Sequence, residues 1–190
     1  MAVEPVPMLL LSGPPGVGKT TVSWEIFDQL VADGCRPALV DIDLLGACWP
    51  VPDEDPYNDR LKARNLGSIW QNFHAAGARC VVAAGVVEDR AILDLYGSAI
   101  VGAVPTLCRL RAGHEELRAR ILGRGRERGD GVDHLYRRAV HLDGELERND
   151  VAAFVVDTDE HDVSEVARRV LAEAGGWPHS PPVGAPFAAS

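Results

Sequence analysis

What this chain lacks narrows it before any motif does. Its 190 residues include only four cysteines, Cys35, Cys48, Cys80 and Cys108, and no two form a C-x-x-C pair. That scatter opposes a disulfide framework and a thiolate metal site, and it fits reduced, buried thiols in a cytoplasmic protein. The six histidines show no ligand spacing either. Cationic charge is short: 19 lysines and arginines face 28 aspartates and glutamates, a formal net charge of −9. A nucleic-acid partner is therefore not expected. The first residues carry no basic region followed by a long apolar stretch, so no signal peptide is expected. The longest apolar run, Cys80 to Val87, is far too short to span a membrane and reads as a buried strand.

What is present is ordinary globular material, 46% hydrophobic and 25% charged, long enough for one domain with a full core. Residues 13–20 read Gly-Pro-Pro-Gly-Val-Gly-Lys-Thr, a complete G-x-x-x-x-G-K-[ST] phosphate loop. Crowded phosphate charge needs backbone N–H groups turned inward at close range, and Gly13, Gly16 and Gly18 relax the backbone for that. With Val17, Lys19, Thr20 and Thr21 they form the expected nucleotide-binding set. Lys19 would reach the β and γ phosphates and the Thr20 hydroxyl would ligate Mg²⁺. The helix start behind the loop also favours an anion. Context agrees with the motif. Met8–Leu11 reads as a short buried strand, and Val22, Ile26, Phe27, Leu30 and Val31 then recur at helical spacing up to Gly34.

Strands and helices go on alternating. Pro37–Val40 is a second apolar run, ending in Asp41-Ile42-Asp43. Residues 49–59 carry three prolines and clustered carboxylates and read as a loop. Leu66, Ile69, Trp70 and Phe73 mark a helix face closed by Gly77. Cys80–Gly85 is a third strand, continuously apolar as in a parallel sheet covered on both faces. A helix over about 89–97, a strand over Val101–Leu110 and a helix over 114–122 follow, then one carrying Leu135, Tyr136, Ala139, Leu142 and Leu146. Val151–Val156 is the fifth strand. Asp162 caps a last helix with Val163, Val166, Ala167, Val170, Leu171 and Ala174 on one face. The pattern predicts an α/β fold, a doubly wound five-stranded parallel sheet with helices on both faces. One domain over 1–174 is expected, followed by a flexible tail over 175–190 rich in glycine, proline and small residues.

In such sheets ligands sit at the C-terminal strand ends. After strand two, Asp41 and Asp43 would share one face of an extended segment. Phosphoryl transfer needs one carboxylate near the metal and another to orient, or take a proton from, the attacking hydroxyl. Asp43 is assigned to the acceptor hydroxyl and Asp41 to the Mg²⁺, with the exchange of those roles left open. Strand three ends Ala83-Ala84-Gly85 without a carboxylate, which opposes a motor or switch ATPase. Gly85 would let an acceptor approach the backbone, and Arg90 is a candidate for a substrate anion. Arg120 and Arg124, followed by Arg126 and Arg128, stand among Gly123, Gly125, Gly129 and Gly131. That segment, about 118–133, reads as a swinging arginine lid that excludes water and stabilises transferring charge.

The order of GPPGVGKT, DID after strand two, glycine after strand three and LxxRxxxR before a glycine–arginine loop resembles the small P-loop kinases. The groups it is similar to are the shikimate, gluconate and adenylylsulfate kinases and the chloramphenicol phosphotransferases, within the nucleoside-kinase-like branch. The likeness covers about residues 6–174. It implies ATP, with GTP as the other possibility, and Mg²⁺ as cofactors. It also implies a γ-phosphoryl group transferred to a hydroxyl of a small molecule. Arg120 or Arg124 would stand against the adenine or the γ-phosphate, and Asp157–Glu160 near the adenine. Residues 44–76, the acceptor region, depart from every named group.

Trp49, Tyr57, Asn65, Trp70 and His74 are candidates to line that acceptor region, although Trp70 also sits on the apolar helix face. Arg60, Arg64 and Arg90 could surround a phosphate, which keeps a nucleoside monophosphate kinase as an alternative. Asp53, Glu54, Asp55 and Asp59 in the same loop disfavour a strongly anionic acceptor and favour a neutral or cationic one, such as a sugar, a metabolite or an antibiotic. The contrasting class is a nucleotide-binding regulatory module without an acceptor.

Overall fold

The structure, a computed structural model, describes residues 4–125 and 130–178. Short apolar runs become five strands: β1 (Val6–Ser12), β2 (Pro37–Asp41), β3 (Cys80–Ala84), β4 (Ala103–Arg111) and β5 (Phe154–Asp157). All pair in parallel, in the order β2-β3-β1-β4-β5. Among the described residues the helices are α1 (Lys19–Ala32), α2 (Ile42–Leu45), α3 (Asp59–Ala75), α4 (Arg90–Ser98), α5 (His114–Gly123), α6 (Asp130–Asn149) and α7 (Val163–Glu173). None of them is long and apolar enough to cross a membrane.

Strand alternation sends neighbouring β1 side chains into two cores. Leu9 and Leu11 pack with Val22, Ile26 and Leu30 of α1 and Val166 and Val170 of α7. Met8 and Leu10 pack with Leu66 and Trp70 of α3 and Tyr96 of α4. Both faces are covered, which is why β3 is buried at every residue. Leu11 stands opposite Ala84 on one side and Cys108 on the other. The loops after β1, β3 and β4 therefore emerge on one rim of the sheet.

Element edges moved where local groups outweighed apolar pattern. The fourth strand begins at Ala103 and not Val101, because Gly102 turns at φ 82° and pairing with β1 starts at Val6. The fifth begins at Phe154 and not Val151, where its ladder with Cys108 starts. Val31 was expected on the inward face of α1 but lies half exposed at its last turn. The loose tail expected from Gly175 is contradicted at Trp177, which is buried in the first core, while residues 179–190 lie outside the described residues.

Candidate active site

The phosphate loop occupies the rim between β1 and α1. Gly13, Gly16 and Gly18 adopt φ of 147°, 91° and 103°, a region glycine enters without strain. A Cβ at Gly13 would stand 2.6 Å from the Leu110 carbonyl oxygen, so the loop lies directly on β4. Helix α1 starts at Lys19, and no side chain caps it. Its first-turn N–H groups, including those of Lys19, Thr20 and Thr21, thus suit an anion. Val17 anchors the loop by burying its side chain in the first core. Lys19 folds over the loop, its Nζ donating to the carbonyls of Gly13 (2.8 Å) and Pro14 (3.3 Å). Burial pushes its ammonium down to about 8; Asp43 opposes the shift and Arg124 adds to it.

Thr20 Oγ1 donates to Asp41 Oδ2 at 3.1 Å, placing a hydroxyl and a carboxylate oxygen side by side. Hard oxygen donors of this kind fit Mg²⁺. The extended arrangement expected for Asp41 and Asp43 is not what forms. Strand β2 ends at Asp41, whose Oδ1 accepts from Asp43 N at 3.1 Å and caps α2. Aspartate readily binds the backbone two residues on, and that bond turns the chain out of the sheet. Asp43 still enters the same cleft, with Oδ1 3.5 Å from Val86 N. Gly85 turns out to serve this turn: a Cβ there would stand 2.8 Å from the Ile42 Cβ. The close approach at Gly85 is therefore made by α2.

Lys19, Thr20 and Asp43 line a cleft of about 510 Å³ that runs from the loop toward α3 and α4. Glu88 and Arg138 in its wall were not singled out as binding groups from sequence; Lys62 was expected near one end of the acceptor region with Arg60 and Arg64, and Asp59 was read only as part of the acidic loop. Asp59 accepts from the Tyr96 hydroxyl at 2.8 Å and pairs with Lys62 Nζ at 3.0 Å. Tyr96 is fully buried, and burial together with the Asp59 bond pushes its phenol up. Glu88 has its carboxyl raised by burial and then by Glu145, Asp59 and Asp89, with Arg138 opposing. One signal for Asp59 and Lys62 was available: they stand one turn apart, on the α3 face that also carries Leu66.

A second cavity of about 360 Å³ lies behind the loop, lined by Gly16, Val17, Thr21, Arg120, Thr158 and His161 among others. Arg120 is fixed there. Its Nη1 donates to Thr158 Oγ1 (2.8 Å) and the Val17 carbonyl (3.2 Å), its Nη2 to the Thr158 carbonyl (3.0 Å), and its Nε to Glu116 (2.8 Å). Arg124 lines both cavities. Of the segment expected as a lid, residues 118–123 finish α5 and Asp130–Asp133 open α6, joined by Arg118 over the Tyr136 ring at 5.7 Å. Arg126 and Arg128 lie outside the described residues.

The remaining candidates are placed elsewhere. Arg60 and Arg64 line a separate open cavity beside α3 and α4. Helical rotation explains this: Asp59, Lys62, Ala63 and Leu66 share the inward side of α3, and residues 60 and 64 are turned off it. Arg90 begins α4 and pairs outward with Asp94 at 3.0 Å. Trp49 is 87% exposed, Trp70 is core, and His74 packs on Trp70. Asn65 Nδ2 donates to the Leu45 carbonyl at 2.8 Å. Of those five pocket candidates, Tyr57 lines the cleft.

Comparison with known proteins places this architecture. A sugar kinase from Janibacter sp. HTCC2649 superposes with a TM-score of 0.61 at 18% identity, over 92% of this chain and 97% of the other. A gluconokinase from Sinorhizobium meliloti 1021 gives 0.60 at 20% identity, over 88% and 91%. A shikimate kinase from Acinetobacter baumannii, solved with shikimate, gives 0.59 at 19% identity, over 92% and 96%. The fold is that of the small P-loop kinases. No family model matches the chain. One curated relative, a probable disease resistance protein RPP1 from Arabidopsis thaliana, is 35% identical over 63 residues, 33% of this chain. The chain spans only 5% of that protein's length.

Proposed function

We propose that the protein is an ATP- and Mg²⁺-dependent kinase, with GTP as a possible second donor, that transfers the γ-phosphoryl group to a hydroxyl of a small molecule. One observation carries this reading: the phosphate-loop Lys19 and Thr20 face Asp43 across a single cleft. The loop amides and Lys19 hold the β and γ phosphates. Thr20 and Asp41 hold the Mg²⁺, which when bound neutralises charge on the phosphates. Asp43 accepts the proton of the acceptor hydroxyl as its oxygen forms the new bond to phosphorus. Arg124, reaching both cavities, stabilises charge on the transferring group, and Arg138 stands in the same wall. The cavity behind the loop, with Arg120, takes the nucleoside.

The arginines that a nucleoside monophosphate acceptor would need, Arg60, Arg64 and Arg90, are absent from the residues lining the cleft. Asp43, Asp59, Glu88 and Asp89 line it, beside Lys19, Lys62, Arg124 and Arg138, and the carboxylates toward α3 and α4 favour a neutral or cationic acceptor there. The test is ADP formation over a panel of hydroxyl compounds, with Lys19→Ala as control. Acceptor-dependent ADP formation that vanishes in the variant supports the proposal. Nucleotide binding with no acceptor-dependent turnover would point to a regulatory module.

A further inference from the structure

The cleft is divided in charge. At the phosphate-loop end stand Lys19 and Arg124; toward α3 and α4 stand Asp43, Asp59, Glu88 and Asp89 with Lys62; Arg138 of α6 acts on both Lys19 and Glu88. Most of the second group is already engaged. Lys62 Nζ pairs with Asp59 at 3.0 Å, and its stem runs where a Cβ at Gly46 would clash at 2.8 Å. Asp59 is further held by the buried Tyr96 hydroxyl. Asp89 Oδ1 accepts from Ile92 N at 2.9 Å and caps α4. Glu88 differs: no described side chain bonds or pairs with its carboxylate.

Glu88 is nevertheless held firmly. Its carbonyl accepts from Asn149 Nδ2 of α6 at 2.8 Å, and the neighbouring Val87 N donates to the buried Ser12 Oγ at 2.9 Å. Val86, two residues back, is the residue whose N–H meets Asp43. A partly buried carboxylate thus lines the same cleft as Asp43, and the charges acting on it are Glu145, Asp59 and Asp89, with Arg138 the opposing cation. Such a group gains most from a cation that arrives with the ligand.

We propose that the acceptor is a hydroxylated amine, of the amino sugar, aminocyclitol or amino alcohol class, whose ammonium is held by Glu88. This rests on the kinase reading above. Asp59, fixed by Tyr96 and Lys62, accepts from a neighbouring hydroxyl, and the reacting hydroxyl faces Asp43. The hydroxyl oxygen bonds to the γ-phosphorus as the bond to the β–γ bridging oxygen breaks, and its proton passes to Asp43. The ammonium keeps its protons and serves recognition alone.

The experiment follows ADP formation by the full chain with ATP and Mg²⁺ over matched acceptors: amines such as glucosamine and deoxystreptamine, their N-acetylated forms, neutral sugars, and sugar acids. The amines are expected to exceed their N-acetylated forms in kcat/KM by about tenfold or more, the worth of one well-placed charge contact. Glu88→Gln is expected to raise KM for the amine about tenfold and to bring that ratio near one. Turnover of neutral or anionic acceptors at rates equal to the amines would overturn this inference and leave the kinase reading standing. So would an unchanged ratio in Glu88→Gln. ADP formation that no acceptor of any charge raises above the acceptor-free rate would overturn both.

Discussion

The two ends of the cleft are made in different ways. The phosphate-loop end is backbone: successive glycines at positive φ, an uncapped helix start and one lysine, all within residues 13–21. The other end, where the acceptor is proposed to bind, is side chain, drawn from α2, α3, the turn after β3 and α6. A backbone site tolerates little change and is written as a local motif. A side-chain site can be rewritten residue by residue while the fold stands. A chain 18–20% identical to several small-molecule kinases can in this way keep their architecture.

The comparison breaks most sharply at Lys19. Lys19→Ala is expected to lower phosphoryl transfer at least about a thousandfold. Its thermal midpoint should hold or rise, because burial disfavours the ammonium it removes. A coupled ADP assay and a melt read the two. Asp43→Ala should lower kcat about a hundred- to ten-thousandfold, with nucleotide affinity within about twofold by calorimetry. That split separates the two ends. Gly85→Ala drives a Cβ into Ile42 and displaces the turn bearing Asp43. It should cost about 1–3 kcal/mol in urea unfolding and lower turnover with nucleotide affinity kept.

Smaller effects sharpen the acceptor end. Tyr96→Phe removes the buried donor to Asp59. It should cost about 1–2 kcal/mol and raise acceptor KM, without moving the nucleotide Kd. Glu88 gives a pH signature. Its carboxyl is raised above the ordinary range by burial and by Glu145, Asp59 and Asp89, against Arg138. The folded state therefore holds this proton to higher pH than the unfolded chain, and its ionisation lowers stability as pH rises through the window between the two. Glu88→Gln should accordingly melt slightly higher than wild type at pH 7. The difference should vanish near pH 4, below the ordinary value of about 4.3.

Much of the fold was legible because apolar continuity and helical period carry it. Met8–Leu11 and Cys80–Ala84 could only be buried strands, and Asp162 announced α7, where its Oδ1 accepts from Glu165 N at 2.7 Å. The phosphate loop was legible for the same reason, being local. The turn at Asp41 was not, since an aspartate bond to the backbone two residues on competes with strand extension and leaves no periodic trace. Asp59 and Glu88 were hidden differently. The acidic run ending at Asp59 does not tell that this carboxylate meets a buried tyrosine from another helix, and the turn after β3 does not tell that no described side chain pairs with Glu88. Arg60, Arg64 and Arg90 misled because residue type was read without helical phase.

The most direct test follows the γ-phosphoryl label from ATP in the wild-type chain and in Asp43→Ala, with a hydroxyl acceptor present. The account predicts labelled phosphomonoester from the wild type and about a hundred- to ten-thousandfold less per unit time from Asp43→Ala, which still binds ATP. Label released only as inorganic phosphate whatever the acceptor, or equal phosphomonoester from both proteins, would contradict it.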